Sequence, residues 1–247
     1  MNLNKTREDF KILNSGIIYF DNSCMSLKPQ QVVDKMNSYY NEFPACGARS
    51  VHRLSKKVNE EVFSARNKVK KFFNASKPEE IIFTKNTTES INLLSHSLNL
   101  KKEDIVITTD KEHNSNLLPW QSFSHKVINT SPLFNLEEFK IKVKNAKLVS
   151  LVHTSNLDGT TIPLKEIIKI AHDSNALVHL DGAQSAPHKE IDFKKLDIDF
   201  FSCSAHKMLG PSLGMFYGKK HLLEQLKPYM LGGETVIDST YDSYTLA

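Results

Sequence analysis

The stretch HLDGAQSAPH, residues 179–188, is followed after a short helix-like segment by DFFSCSAHKMLGPSLGMFYG, residues 199–218. Each begins as a short apolar run and breaks at once into polar residues: Asp181, Gly182, Ala183 and Gln184 in the first, Ser202 through Lys207 in the second. Working outward, the same alternation recurs. Strand-like runs are expected at 81–84, 104–109, 148–152, 176–180, 200–203 and 215–217, and helices at 88–97, 135–143 and 163–174, the last with Pro163 in its first turn. Upstream, apolar residues at intervals of three and four predict helices over 30–42 and 55–73, the second carrying Val58, Val62, Ala65, Val69, Phe72 and Phe73 on one stripe. Short buried strands alternating with helices make this an α/β chain with a largely parallel sheet covered on both faces.

Composition narrows the partners. The 247 residues hold 40% hydrophobic side chains with only 9 Gly and 9 Pro, enough to build a large core and outside the disordered classes. A net charge of +4, spread thinly, argues against nucleic acid. Nothing approaches the ~18 apolar residues of a membrane span, and the start MNLNKTREDF lacks a signal pattern, so a cytoplasmic setting is expected. Cys24, Cys46 and Cys203 are odd in number and have no CxxC spacing, which points to reduced thiols and no cysteine metal site. His179-x-Asp181 has the look of a ligand pair but lacks a convincing third ligand, so no metal is expected and His179 reads as a half-buried strand residue. Neither GxGxxG nor GxxxxGK[ST] occurs.

In sheets of this kind ligands collect outside the carboxyl ends of the strands. Five strand ends offer polar groups there: Asn86 to Ser90, Glu112 to Asn114, His153 to Asn156, Asp181 to Gln184, and Ser202 to Lys207. Thr87 and Thr88 at a helix start suit a phosphate, with an ordinary N-cap as the competing reading. A carboxylate at Asp181, ending a buried strand, needs a cation, a protonated nitrogen or a helix cap nearby. Lys207 beside His206 is placed to become a nucleophilic amine, as a Schiff base requires, where an isolated lysine would be solvated surface. A carboxylate for a pyridinium, an imine-forming lysine and a phosphate-binding helix start together are the needs of pyridoxal phosphate.

These two stretches resemble the cofactor core of the class V aminotransferases, in particular the cysteine desulfurase and selenocysteine lyase branch. The resemblance extends to YFDNS at 19–23, RSVHRLS at 49–55, FTKNTTESINLL at 83–94, KEHNSNLLPWQ at 111–121 and HTSNLDGT at 153–160. It implies the fold-type-I large domain, a mostly parallel seven-stranded sheet between helices, occupying 31–247, with residues 1–30 packing against a small C-terminal domain that is absent. It also implies pyridoxal 5'-phosphate as cofactor. Lys207 would carry it and shuttle protons, Asp181 would hold its ring nitrogen protonated, Gln184 would contact the phenolic oxygen, and His113 would stack over the ring. Thr87, Thr88, Ser204 and His206 match phosphate contacts, Asn156 an amide near the phenolic oxygen and substrate carboxylate, and Arg49 an arginine of the substrate entrance. Arg53 departs from the pattern and receives no role.

By the same resemblance, the substrate would be L-cysteine or L-selenocysteine, the assembly a homodimer or a pairing with the missing C-terminal half, and a sulfur-acceptor protein a possible further partner. The family's sulfur-accepting cysteine and carboxylate-binding arginine lie beyond residue 247, and none of the three cysteines matches that position. Residues 231–247, polar and turn-rich, are expected to end without a closing strand or helix, as in the middle of a longer protein. Two alternatives stand beside desulfuration: another class V reaction such as transamination or β-elimination, and a non-catalytic cofactor-binding domain.

Overall fold

A computed structural model describes residues 3–48, 50–131, 133–233 and 235–246. In chain order the helices are α1 (Leu3–Glu8), α2 (Gln30–Glu42), α3 (Arg53–Phe72), α4 (Thr87–Ser97), α5 (Asn114–Leu117), α6 (Leu136–Lys142), α7 (Leu164–Asp173), α8 (Phe193–Leu196) and α9 (Lys220–Leu223). The strands are β1 (Ile81–Thr84), β2 (Ile105–Thr109), β3 (Ser124–Ile128), β4 (Ala146–Val152), β5 (Leu177–Asp181), β6 (Phe200–Ser204), β7 (Gly214–Gly218), β8 (Val236–Ser239) and β9 (Tyr244–Leu246).

Seven strands form one sheet in the order β1-β7-β6-β5-β4-β2-β3. All pairs are parallel except those of β7, which runs antiparallel to both β1 and β6. The connection from β6 to β7 is too short for a helical crossover, which forces the reversal. Alternation along each strand divides the core between the faces. Val149 and Leu151 of β4, Val178 and Leu180 of β5, and Phe201 and Cys203 of β6 join α7 and Phe193 in the larger cluster. Leu148 of β4 and Phe200 of β6 join Ile91 and Leu94 of α4 and Trp120 in the smaller one. Helices cap their first turns with local side chains: Asn86 accepts from the Glu89 N–H in α4, and Asp192 from the Lys195 N–H in α8.

Three expectations need correction. Strand β3 was absent from the sequence reading because SHKVI is an edge strand without the apolar run that marks the buried ones. Residues 231–247 do not run out structureless: β8 and β9 pair as an antiparallel hairpin, largely exposed, with Tyr241 at its turn. His179 is fully buried, not half-buried; it shares a face of β5 with Asp181, since residues two apart on a strand point the same way. Among the described residues no helix is long and apolar enough to cross a membrane.

Candidate active site

At the carboxyl ends of the parallel strands, on the α4 side of the sheet, lies a cavity of about 380 Å³. All nine cofactor residues expected from the sequence line it. Thr87 and Thr88 open α4, His113 and Asn156 follow β2 and β4, Asp181 and Gln184 end β5, and Ser204, His206 and Lys207 end β6. Arg49 falls outside the described residues.

The helix start removes the N-cap reading of Thr87 and Thr88. Asn86 is the cap of α4, so the two threonines are its first helical residues and are free for another task. Thr87 is tied across to β6, its N–H donating to Ser204 Oγ at 2.9 Å with the two hydroxyls 2.6 Å apart. Thr88 Oγ1 lies 2.7 Å from Ser115 Oγ. The Thr88 N–H has no acceptor among the described residues, at the positive end of an 11-residue helix. Four hydroxyls and an open N–H thus converge where an anion would sit. Gly214 permits this approach: a Cβ there would stand 2.3 Å from Thr84 Oγ1 and 2.6 Å from the Asn86 backbone.

Asp181 is 2% exposed. Its Oδ1 accepts from the Ala183 N–H at 2.9 Å, and no cation is in salt-bridge contact with it among the described residues. Burial pushes its carboxyl up, while the Ala183 hydrogen bond, Lys207 and His113 pull it back. A buried carboxylate at a cavity with one hydrogen bond and no salt-bridge partner among the described residues suits a protonated group from outside. Glycine follows it because a Cβ at Gly182 would fall 2.0 Å from the Phe201 ring.

His113 is held by the start of α5. Its Nδ1 accepts from the Ser115 N–H at 3.1 Å, so the neutral ring carries its proton on Nε2. His206 is anchored through its backbone: its carbonyl accepts from the N–H and hydroxyl of Ser26, both at 2.9 Å. Burial, then Lys207 and Lys28, lower its imidazole pKa, favouring the neutral ring. Gln184 donates to the Ser23 carbonyl at 2.8 Å, closing the N-terminal segment over the cavity. The Lys207 amine has no acceptor among the described residues. Ser23, Cys24 and Ser115 also line the cavity and went unassigned in the sequence reading. Adjacency to NTTES and EHNS was the available signal for Ser115; Cys24 had none, because its segment closes over the site from far along the chain.

The residues 18–247 match the family model for class-V aminotransferases. The chain belongs to that family. A probable cysteine desulfurase of Synechocystis is 40% identical over 97% of this chain and 61% of its own length. The apo cysteine desulfurase of Thermococcus onnurineus superposes with a TM-score of 0.92 at 38% identity, over 99% of this chain and 64% of that one. One from Escherichia coli gives a TM-score of 0.89 at 31% identity, covering 100% of this chain and 65% of that chain. This class-V chain therefore spans 61–65% of the length of these three relatives.

Proposed function

We propose that this chain is the cofactor-binding part of a pyridoxal phosphate-dependent cysteine desulfurase, with L-cysteine or L-selenocysteine as substrate. The observation that carries it is the meeting, in one cavity, of a buried unpaired carboxylate, an unpaired lysine amine and an anion cradle at a helix start. These residues fit the cofactor group by group. Thr87, Thr88, Ser204 and His206 would hold the phosphate, Asp181 the ring nitrogen, and Gln184 and Asn156 the phenolic edge.

Bound there, pyridoxal phosphate supplies an electron sink conjugated to an amino group. The chain's residues do the rest. Asp181, buried at the cavity floor, would keep a proton on the pyridine nitrogen, because pairing the carboxylate with a pyridinium offsets its burial. Lys207 would supply the amine that holds the cofactor covalently, and the same amine, lining the cavity, would take or return protons for a bound amino acid. His113, with its proton on Nε2, presents a flat face and a polar edge to the ring. Arg49 and Asn156 are proposed for the substrate carboxylate.

Cys203 is not a candidate sulfur acceptor. It is 2% exposed, lies on the opposite face of the sheet from Asp181, and burial drives its thiol pKa far up. Exposed apolar residues such as Ile18 and Phe20 in the N-terminal segment and Phe63 and Phe72 on α3 support contact with a small C-terminal domain and a second copy of the chain. A cytoplasmic setting and a sulfur-acceptor protein belong to the same proposal.

The test is borohydride reduction of the chain incubated with pyridoxal phosphate, followed by peptide mass mapping. A single label at Lys207 is expected, and no label or labels scattered over many lysines would overturn the reading. Sulfide release from L-cysteine would then separate desulfuration from transamination, which yields a keto acid.

A further inference from the structure

We propose that Glu112 is a positioning residue of this site, fixing His113 and both strand neighbours of Asp181 through a buried, one-way chain of hydrogen bonds. The inference rests on the cofactor reading above and adds a layer beneath it.

Glu112 immediately precedes His113 but points away from the cavity, which it does not line. Its Oε1 accepts from Thr109 Oγ1 at 2.7 Å, the Val152 N–H at 2.9 Å and the Thr109 N–H at 3.1 Å. Its Oε2 accepts from Asn116 Nδ2 at 2.7 Å. One carboxylate thus clamps the ends of β2 and β4 to α5, on both sides of His113.

From Asn116 the chain continues under the site. Asn116 Oδ1 accepts from Ser150 Oγ at 2.6 Å and Trp120 Nε1 at 3.1 Å. Ser150 Oγ lies 2.8 Å from His179 Nδ1, and His179 Nε2 lies 2.9 Å from Ser202 Oγ. Proton inventory sets the direction. Ser150 has one hydrogen and gives it to Asn116, so it must accept from His179 Nδ1–H. Burial holds His179 neutral, so its bare Nε2 accepts from the Ser202 hydroxyl. Every donor along Ser202, His179, Ser150 and Asn116 therefore points toward Glu112, an acceptor at the end of the line.

The two ends flank Asp181. In the sheet register Asp181 pairs with Val152 on β4 and with Ser202 on β6. Val152 is held by Glu112 at one end, and Ser202 is oriented by His179 at the other. Replacing the Glu112 carboxylate by an amide sets two NH2 groups against each other at Asn116. Relief requires the whole chain to reverse, which strands the Trp120 N–H and releases the Ser202 hydroxyl proton beside Asp181.

The experiment compares wild type, Glu112→Gln and Trp120→Phe, measuring pyridoxal phosphate affinity, borohydride-trapped label at Lys207 and the visible circular dichroism of bound cofactor. Trp120→Phe removes a donor to Asn116 without breaking the line, so it controls for lost stability. Glu112→Gln is expected to weaken cofactor binding by about ten-fold and to change the dichroism per bound cofactor, whereas Trp120→Phe stays within about two-fold. A folded Glu112→Gln with wild-type affinity and dichroism overturns the inference alone. Should Glu112→Gln not fold, Ser150→Ala and Ser202→Ala break the line elsewhere, and wild-type cofactor binding by both overturns it. A wild-type chain that takes no label at Lys207 overturns the cofactor reading, and this inference with it.

Discussion

Gly214→Ala tests whether the anion cradle depends on contact between β7 and the start of α4. The added Cβ would meet Thr84 Oγ1 at 2.3 Å, the Asn86 carbonyl carbon at 2.6 Å and the Asn86 Cα at 2.6 Å. Rotating Thr84 relieves only the first contact, and costs its 2.8 Å hydrogen bond with Ser90. The other two are backbone atoms at the cap of α4, so β7 and the cap must separate. Overpacking of this kind costs ~1–3 kcal/mol, and backbone contacts place it at about 3. For a chain of this size that lowers Tm by roughly 6–12 °C. Because Thr87 is bonded to Ser204 on β6, the separation also opens the cradle, so affinity for pyridoxal phosphate falls together with stability. Urea melts with and without cofactor read both quantities. Gly16→Ala is the control: its φ of +78° strains an alanine, but nothing stands within 4 Å. Gly214→Ala within ~0.5 kcal/mol of wild type, with unchanged cofactor affinity, would refute the view that this glycine is there for close approach.

Lys207→Ala is expected to leave the fold and abolish the borohydride label; a label surviving elsewhere in the cavity at wild-type stoichiometry would remove Lys207 from its role. Asp181→Asn should lower turnover of the cofactor-loaded, complete enzyme by about a hundred-fold or more, because an amide does not hold a pyridinium, and wild-type kcat would sink that assignment. His153 gives a pH test. Burial, then Lys189, depress its pKa to about 4, below the ~6.5 of an unfolded histidine, so the unfolded chain binds the extra proton. Stability is therefore fully present above about pH 6.5 and is lost as pH falls toward 4, by roughly 3 kcal/mol, and His153→Gln should flatten that part of the urea profile. A variant losing as much as wild type over that window would show that His153 is not its source.

The sheet and the cavity were legible in the sequence for one reason. Buried strands advertise themselves as apolar runs, and strand ends in parallel sheets gather at one edge, so listing the residues after each run already assembled Thr87, His113, Asn156, Asp181 and Lys207. What escaped depends on pairing or on distance along the chain. SHKVI forms β3 because β2 offers it a free edge, a fact outside its own pattern. The β8–β9 hairpin likewise exists through pairing rather than burial, with Tyr241 and Ile237 left exposed. Ser23 and Cys24 line the cavity because their segment is tied down by the Gln184–Ser23 and Ser26–His206 hydrogen bonds, each spanning more than 150 residues, and no local periodicity encodes such closure.

The burial of His179 exposes how one sheet serves as core and site together. On β4, β5 and β6 the residues facing α7 are apolar throughout: Val149 and Leu151, Val178 and Leu180, Phe201 and Cys203. Those facing α4 change along each strand. Leu148, Leu177 and Phe200 pack against Trp120 and its neighbours near the amino ends; Ser150, His179 and Ser202 follow; Asp181 and Ser204 come last, at the cavity. The middle layer is the hydrogen-bonded line ending at Glu112, and its place explains its chemistry. Apolar residues there would leave the polar cavity floor resting on groups that cannot fix an orientation, while charged ones would compete with Asp181 for its partner. Neutral donors and acceptors satisfied by one another avoid both outcomes, provided that every member is paired. Glu112 is the exception that tests the rule. Burial raises its pKa to about 7, with hydrogen bonds from Thr109, Asn116 and Val152 pulling downward and Asp181 adding to the rise; the donors it collects favour the carboxylate against its burial. The Asp181 charge thus reaches down to Glu112, and the floor of the site is linked to a carboxylate that never touches the cavity.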